Sequence, residues 1–114
     1  MAFLFNNDKS KLKTVDGTKP LINIQRQEFY IEPTLPIEPN STFTYTFDVS
    51  EFDEVDLTNY EIIGINSVWF ANSNKQNLKI YSYDLTNLRF MFRNDGTDNI
   101  ITIDGYFKFI TIKK

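Results

Sequence analysis

Four carboxylates crowd one short stretch of this chain: Glu51, Asp53, Glu54 and Asp56, spaced around Phe52 and Val55. Several oxygen ligands on a flexible loop are what calcium binding requires. The stretch lacks a glycine and the regular D-x-D-x-D-G spacing of such loops, so it reads first as a solvated acidic loop and second as a cation site. With fifteen acidic residues in all, carboxylate pairs for glycoside hydrolysis can always be drawn. None sits in the apolar surroundings that would keep one of them protonated for general-acid work. The sequence contains no histidine and no cysteine. That removes the commonest general base and metal ligand, the thiol nucleophile and any disulfide. The expectation is a protein that is not an enzyme, with no catalytic residue, no bound metal and no cofactor.

The other residues with chemical potential are aromatic. Phe, Tyr and Trp make up 16% of the chain, and Trp69, Tyr81, Tyr83 and Tyr106 fall where strands would present them outward. Such rings stack on the C–H faces of sugars, with Asn and Asp to orient hydroxyls; the alternative is that they fill the core or a subunit interface, where Tyr and Trp are enriched. Phe3, Leu4 and Phe5 form an apolar patch ahead of a lysine-spaced polar stretch (Lys9, Lys11, Lys13), either a docking peg or a plain terminus.

The elements that must carry these residues are extended. Residues 42–49 alternate, with Phe43, Tyr45, Phe47 and Val49 on one side and Thr42, Thr44, Thr46 and Asp48 on the other: a half-buried antiparallel strand. Residues 60–70 are apolar on both faces, which predicts a central strand, or one whose second face meets another chain; Gly64 marks a bulge. Residues 78–85 and 88–93 are two strands joined tightly through Thr86 and Asn87. Residues 94–98 carry a hairpin signal, and residues 100–112 close the chain with a bend at Asp104-Gly105. Residues 21–24 and 28–31 are short extended candidates. Residues 50–59 fit a single helical turn or a loop equally. Pro33, Pro36 and Pro39 recur every third residue, the spacing of a stiff polyproline II connector.

At 114 residues the chain fits one domain. The predicted organisation is an N-terminal arm and proline-rich connector over residues 1–39, followed by a β-domain over 40–114. The fold class is all-β, an antiparallel sandwich or jelly-roll-like barrel. A net charge of −3 without a basic stripe argues against nucleic acid. No apolar run reaches the length of a membrane span, and the first residues lack a basic n-region, so a secretory signal is not expected. Segments 60–70 and 100–112 place apolar residues on both strand faces, more than a body of about 75 residues can enclose. Cyclic oligomerisation or lying flat against a larger assembly would cover them.

The pattern Tyr60-Glu61-Ile62-Ile63-Gly64-Ile65, a polar turn, Leu78-Lys79-Ile80-Tyr81, and the closing run 101–112 resembles the C-terminal β-domains of small structural proteins of tailed bacteriophages: tail-fibre, baseplate, head-fibre and decoration modules. The resemblance spans residues 40–114 and rests on apolar positions and turns. It implies a virion component made in the host bacterial cytoplasm, often trimeric, docked by its N-terminal part on other virion proteins, with the β-domain facing outward and able to meet a host-surface glycan. There is no coiled-coil or collagen-like shaft, which favours an accessory, decoration or adaptor protein over a host-recognising tip.

Overall fold

Alternating side chains, aromatic and β-branched content, and turns rich in Asn and Asp give six strands in the computed structural model, which describes residues 21–71 and 77–114. They are β1 (Ile22–Ile31), β2 (Thr42–Thr46), β3 (Tyr60–Phe70), β4 (Leu78–Asp84), β5 (Arg89–Asn94) and β6 (Ile103–Lys113). Two three-stranded antiparallel sheets, ordered β1-β6-β3 and β2-β5-β4, pack face to face as a β-sandwich. The expected all-β sandwich is what the chain forms. The docking residues Phe3, Leu4 and Phe5 lie outside the described residues.

Eight of the eleven phenylalanines are buried between the sheets. Phe107 on the central strand β6 is the hub, with ring centroids 4.5 Å from Phe29, 4.7 Å from Phe90 and 4.9 Å from Phe109. Phe90 and Phe92 come from the other central strand, β5, so the core is densest where the two sheet centres face each other. Truncating such a ring to Ala costs about 3–5 kcal/mol, and the chain has no disulfide to offset it.

Several elements differ from the sequence reading. The two short candidates at 21–24 and 28–31 are one strand, β1, paired with β6 from Ile22↔Ile112 to Ile31↔Ile103. The sandwich therefore begins ahead of the expected boundary at Asn40. Residues 32–41 cross from one sheet to the other. This crossing is tied down: Ile37 is buried and exchanges both backbone hydrogen bonds with Ile100 (2.8 and 2.9 Å). Strand β3, expected to be central, is an edge strand. Its two register shifts, at Ile63 and Asn66, bend the edge away from further pairing.

The hairpin signal at 94–98 also joins two sheets, because β5 and β6 belong to different ones. Buried Asn94 holds that turn: its Nδ2 donates to the carbonyls of Ile37 (2.9 Å) and Asp98 (2.7 Å), and its Oδ1 accepts from Gly96 N–H (2.9 Å). The tight link through Thr86 and Asn87 is a true hairpin, β4 to β5, with Asp84 accepting from both residues' backbone N–H groups.

Candidate interaction surface

The free edge of β1 is closed by residues 48–56. Asp48 and Glu51 form a capping box around a 3-10 turn at Val49–Glu51, and the acidic run then lies along the strand. Gln27, 1% exposed, fastens it. Its Nε2 donates to Asp53 Oδ1 (3.0 Å) and the carbonyls of Glu28 (2.9 Å) and Glu51 (3.3 Å). Its Oε1 accepts from the backbone N–H groups of Glu54 (2.8 Å) and Val55 (3.2 Å). Glu54 Oε1 accepts from Glu28 N–H on the strand's open side (2.7 Å).

The acids thus act as acceptors for the fold. Glu51 also accepts from the Tyr45 hydroxyl (2.9 Å), and that hydrogen bond pushes the tyrosine pKa up. Asp56 accepts from Asn59. Among the described residues no three carboxylates gather into a group that could hold a metal ion.

The four aromatic candidates divide between the sheets. Trp69 and Tyr106 meet on the outer face of β1-β6-β3, stacked at 5.4 Å with 27° between planes. Arg26 lies over the Tyr106 ring at 4.0 Å. Because β6 runs between β1 and β3, Arg26 and Trp69 approach Tyr106 from opposite sides and occupy both faces of its ring. What remains available is Trp69, 48% exposed. Tyr81 and Tyr83 are exposed on β4, the edge of the other sheet, where Arg93 approaches the Tyr81 ring at 5.9 Å. The structure does not bring them to Trp69.

A cleft of about 710 Å³ wraps from the Trp69–Tyr106 pair round the edge of β1, bordered by Arg26, Glu28, Glu51, Asp53 and Glu54. Its charged lining is acidic apart from Arg26, and the rest is largely aromatic. The aromatic pair is held by a close backbone approach: Gly105, beside Tyr106, has φ +155, and a Cβ there would stand 1.9 Å from the Trp69 carbonyl oxygen.

The rest of this outer face was not singled out as a site from the sequence. In β1 the apolar phase switches along the strand. Phe29 and Ile31 face the core, whereas Ile22 and Ile24 face outward, and the inward places beside them are taken by Asn23 and Gln25. Asn23, Gln25 and buried Thr111 form a polar network: Gln25 Nε2 donates to Thr111 Oγ1 (2.9 Å), Thr111 Oγ1 donates to Asn23 Oδ1, and Gln25 Oε1 accepts from Asp56 N–H (2.7 Å). β6 switches at the same end, with Ile110 and Ile112 outward. Ile110 lies over Gly64 of β3, and Ile63 beside it is 50% exposed. The signal was present in Ile22-Asn23-Ile24-Gln25-Arg26-Gln27-Glu28-Phe29, where the apolar residues move from even to odd positions.

Among the described residues no helix is long and apolar enough to cross a membrane. Comparison with family models, curated proteins and solved structures returned no match for this chain.

Proposed function

We propose that this chain is a structural attachment protein of a tailed-bacteriophage particle, an accessory, decoration or adaptor component that associates with itself and docks on other virion proteins without catalysing a reaction. The observation that carries the attachment part is the switched apolar phase of β1 and β6. Isoleucines stand on the outer surface while Asn23, Gln25 and Thr111 occupy the inward places beside them. A free-standing sandwich gains nothing from that exchange, since the outward isoleucines keep water on their apolar surface. A sheet whose outer face is covered in the assembled state gains the burial. The virion setting rests on the resemblance of residues 40–114 to phage β-domains. The engagement of Glu51, Asp53 and Glu54 in holding β1 supports a non-catalytic role for the cleft acids.

A mass-spectrometric inventory of purified particles tests the setting. The chain is expected at a stoichiometric level, and its absence from particles overturns the virion reading. Deleting residues 2–15 is expected to leave the circular dichroism of the sandwich intact while abolishing incorporation; a truncated chain that still assembles removes the docking role of Phe3, Leu4 and Phe5.

A second reading, glycan binding, is favoured by one observation: half-exposed Trp69 borders the cleft together with Arg26 and several carboxylates, the group types that hydrogen-bond sugar hydroxyls. Trp69 is the only tryptophan, so its emission reports on this spot directly. A saturable change on titrating host-surface glycans, lost in Trp69→Ala and kept in Tyr81→Ala and Tyr83→Ala, supports it. No change at millimolar sugar overturns it.

A further inference from the structure

We infer that the outer face of the β1-β6-β3 sheet pairs with the same face of a second copy about a two-fold axis running across the strands through the Ile24–Ile110–Gly64 row. This rests on the self-association reading above and names its surface and symmetry. The cross-strand rows are fixed by the register: Ile22, Ile112 and Glu61; then Ile24, Ile110 and Gly64; then Arg26, Lys108 and Ser67. An isologous pair must place each row against its mirror position. An axis along the strands would set Lys108 on its own copy. An axis across them sets the isoleucine row on itself and brings the Arg26–Lys108 row over the row that ends in Glu61 of the other copy.

On each side of the apolar centre Lys108 then stands one strand away from Glu61 of the other copy, so that attractive pair is formed twice. The centre is also flat: Gly64 has no side chain, and Ile110 lies across it with Cδ1 3.5 Å from where a Cβ would be. Strands about 4.8 Å apart and outward rows about 6.8 Å apart make the contact from Ile22 to Arg26 on the order of 300 Å² per protomer. That is under half of a standard-size interface, about 800 Å² per partner. The pair is accordingly weak and reversible, and becomes populated where copies are crowded.

Sedimentation equilibrium of the full chain from about 5 µM to 1 mM tests this. The native chain is expected to pass from monomer to dimer. Ile24→Glu and Ile63→Glu, both at half-exposed positions, are expected to weaken the dimer by more than a hundredfold with an unchanged melting curve. Lys108→Glu is expected to weaken it roughly tenfold, and adding Glu61→Lys to restore it, because each pair is formed twice. A native chain that stays monomeric to 1 mM overturns the inference, as does a trimer or a dimer that survives Ile63→Glu. If the chain is monomeric yet Ile63→Glu abolishes particle incorporation, the face docks on a different virion protein: the two-fold pair is overturned and the attachment role stands. A dimer with the expected variants, in a chain absent from particles, retains the pair and overturns the virion setting.

Discussion

Replacing Gly105 by Ala tests how the aromatic pair is positioned. The added Cβ would stand 1.9 Å from the Trp69 carbonyl oxygen, 2.9 Å from the Trp69 carbonyl carbon and 3.0 Å from Phe70 Cα. Cβ contacts essentially never fall below 3.0 Å, so β3 and β6 must separate by at least 1.1 Å at this point. All three atoms are backbone, and no rotamer change relieves them. The separation pulls Phe70 from its edge-on contacts with Phe29 and Phe92 and strains the Ala71 N–H bond to the Asp104 carbonyl (2.8 Å). Overpacking and an unfavourable φ each cost about 1–3 kcal/mol, and one weakened ladder bond adds about 1. The expected loss is about 3–7 kcal/mol.

For a chain of 114 residues that corresponds to a melting temperature lower by roughly 12–28 °C. The variant folds where the native stability, usually about 5–15 kcal/mol, exceeds this loss. Thermal unfolding followed by circular dichroism gives the stability, and the emission of Trp69 gives the local displacement, since withdrawal of β3 breaks its stack on Tyr106. Gly64→Ala is the matched control on the same strand pair. Its Cβ would meet Ile110 Cδ1 at 3.5 Å, an ordinary contact, so removing a strand glycine should be neutral or stabilising by up to about 1 kcal/mol. A Gly105→Ala protein that melts within about 3 °C of native with unchanged Trp69 emission would refute the close approach.

Gln27→Leu leaves the Val55 N–H buried without its acceptor and should cost about 1–3 kcal/mol; urea unfolding measures the loss, and faster amide exchange at Glu54 and Val55 locates it. Gln27→Glu keeps an acceptor for those N–H groups but sets a carboxylate against Asp53, so it should destabilise at neutral pH and recover part of the loss on acidification. Asp95 is held below the usual carboxylate pKa first by the Arg93 hydrogen bond and then by Lys79, and Asp84 first by the Asn87 side chain. Stability from these depressed groups is full above their unfolded pKa, given as 3.8, and is lost as pH falls through their lower folded values; the acid limb of the stability curve should therefore begin below about pH 4 and flatten in Asp95→Asn. Tyr45 and Tyr30 are raised above 10.0 by hydrogen bonds to Glu51 and Glu32. Their contribution is full below pH 10 and lost as pH rises through the folded values, so Glu51→Gln should bring the phenolate absorbance step of Tyr45 back toward its ordinary pH.

The fold class was legible because it depends on local alternation, which residues 42–49 display without a break. Sheet membership was not, because it depends on which strand meets which at long range. The turn at 94–98 has the chemistry of a hairpin, and nothing local distinguishes a turn that returns in the same sheet from one that crosses to the other. The crossing is decided by Asn94 reaching Ile37, 57 positions earlier in the chain. The same holds for β1. Its polar Asn23, Gln25 and Gln27 interrupt the apolar pattern, and the segment read as two fragments. Those side chains are inward because the 48–56 loop and Thr111 satisfy them, and a partner supplied from a distant segment leaves no mark in the segment it satisfies.

The excess of apolar strand faces has a sharper meaning once the sheets are placed. Apolar residues on both faces of β3 predict a central strand or one that meets another chain; it is an edge strand, so centrality does not account for its composition. The bulge accounts for it: Ile62 and Ile65 differ in parity yet oppose the inward residues Thr111 and Phe109, while Ile63 and Gly64 together oppose outward-facing Ile110. A bulge at this position does two things at once. It twists the β3 edge so that another strand cannot add to it, and it brings both Ile62 and Ile65 to the core side while leaving Ile63 on the outer face. Association edge to edge is disfavoured and association face to face is favoured, which is the combination required of a protein that must assemble in closed, countable contacts and avoid open-ended strand addition.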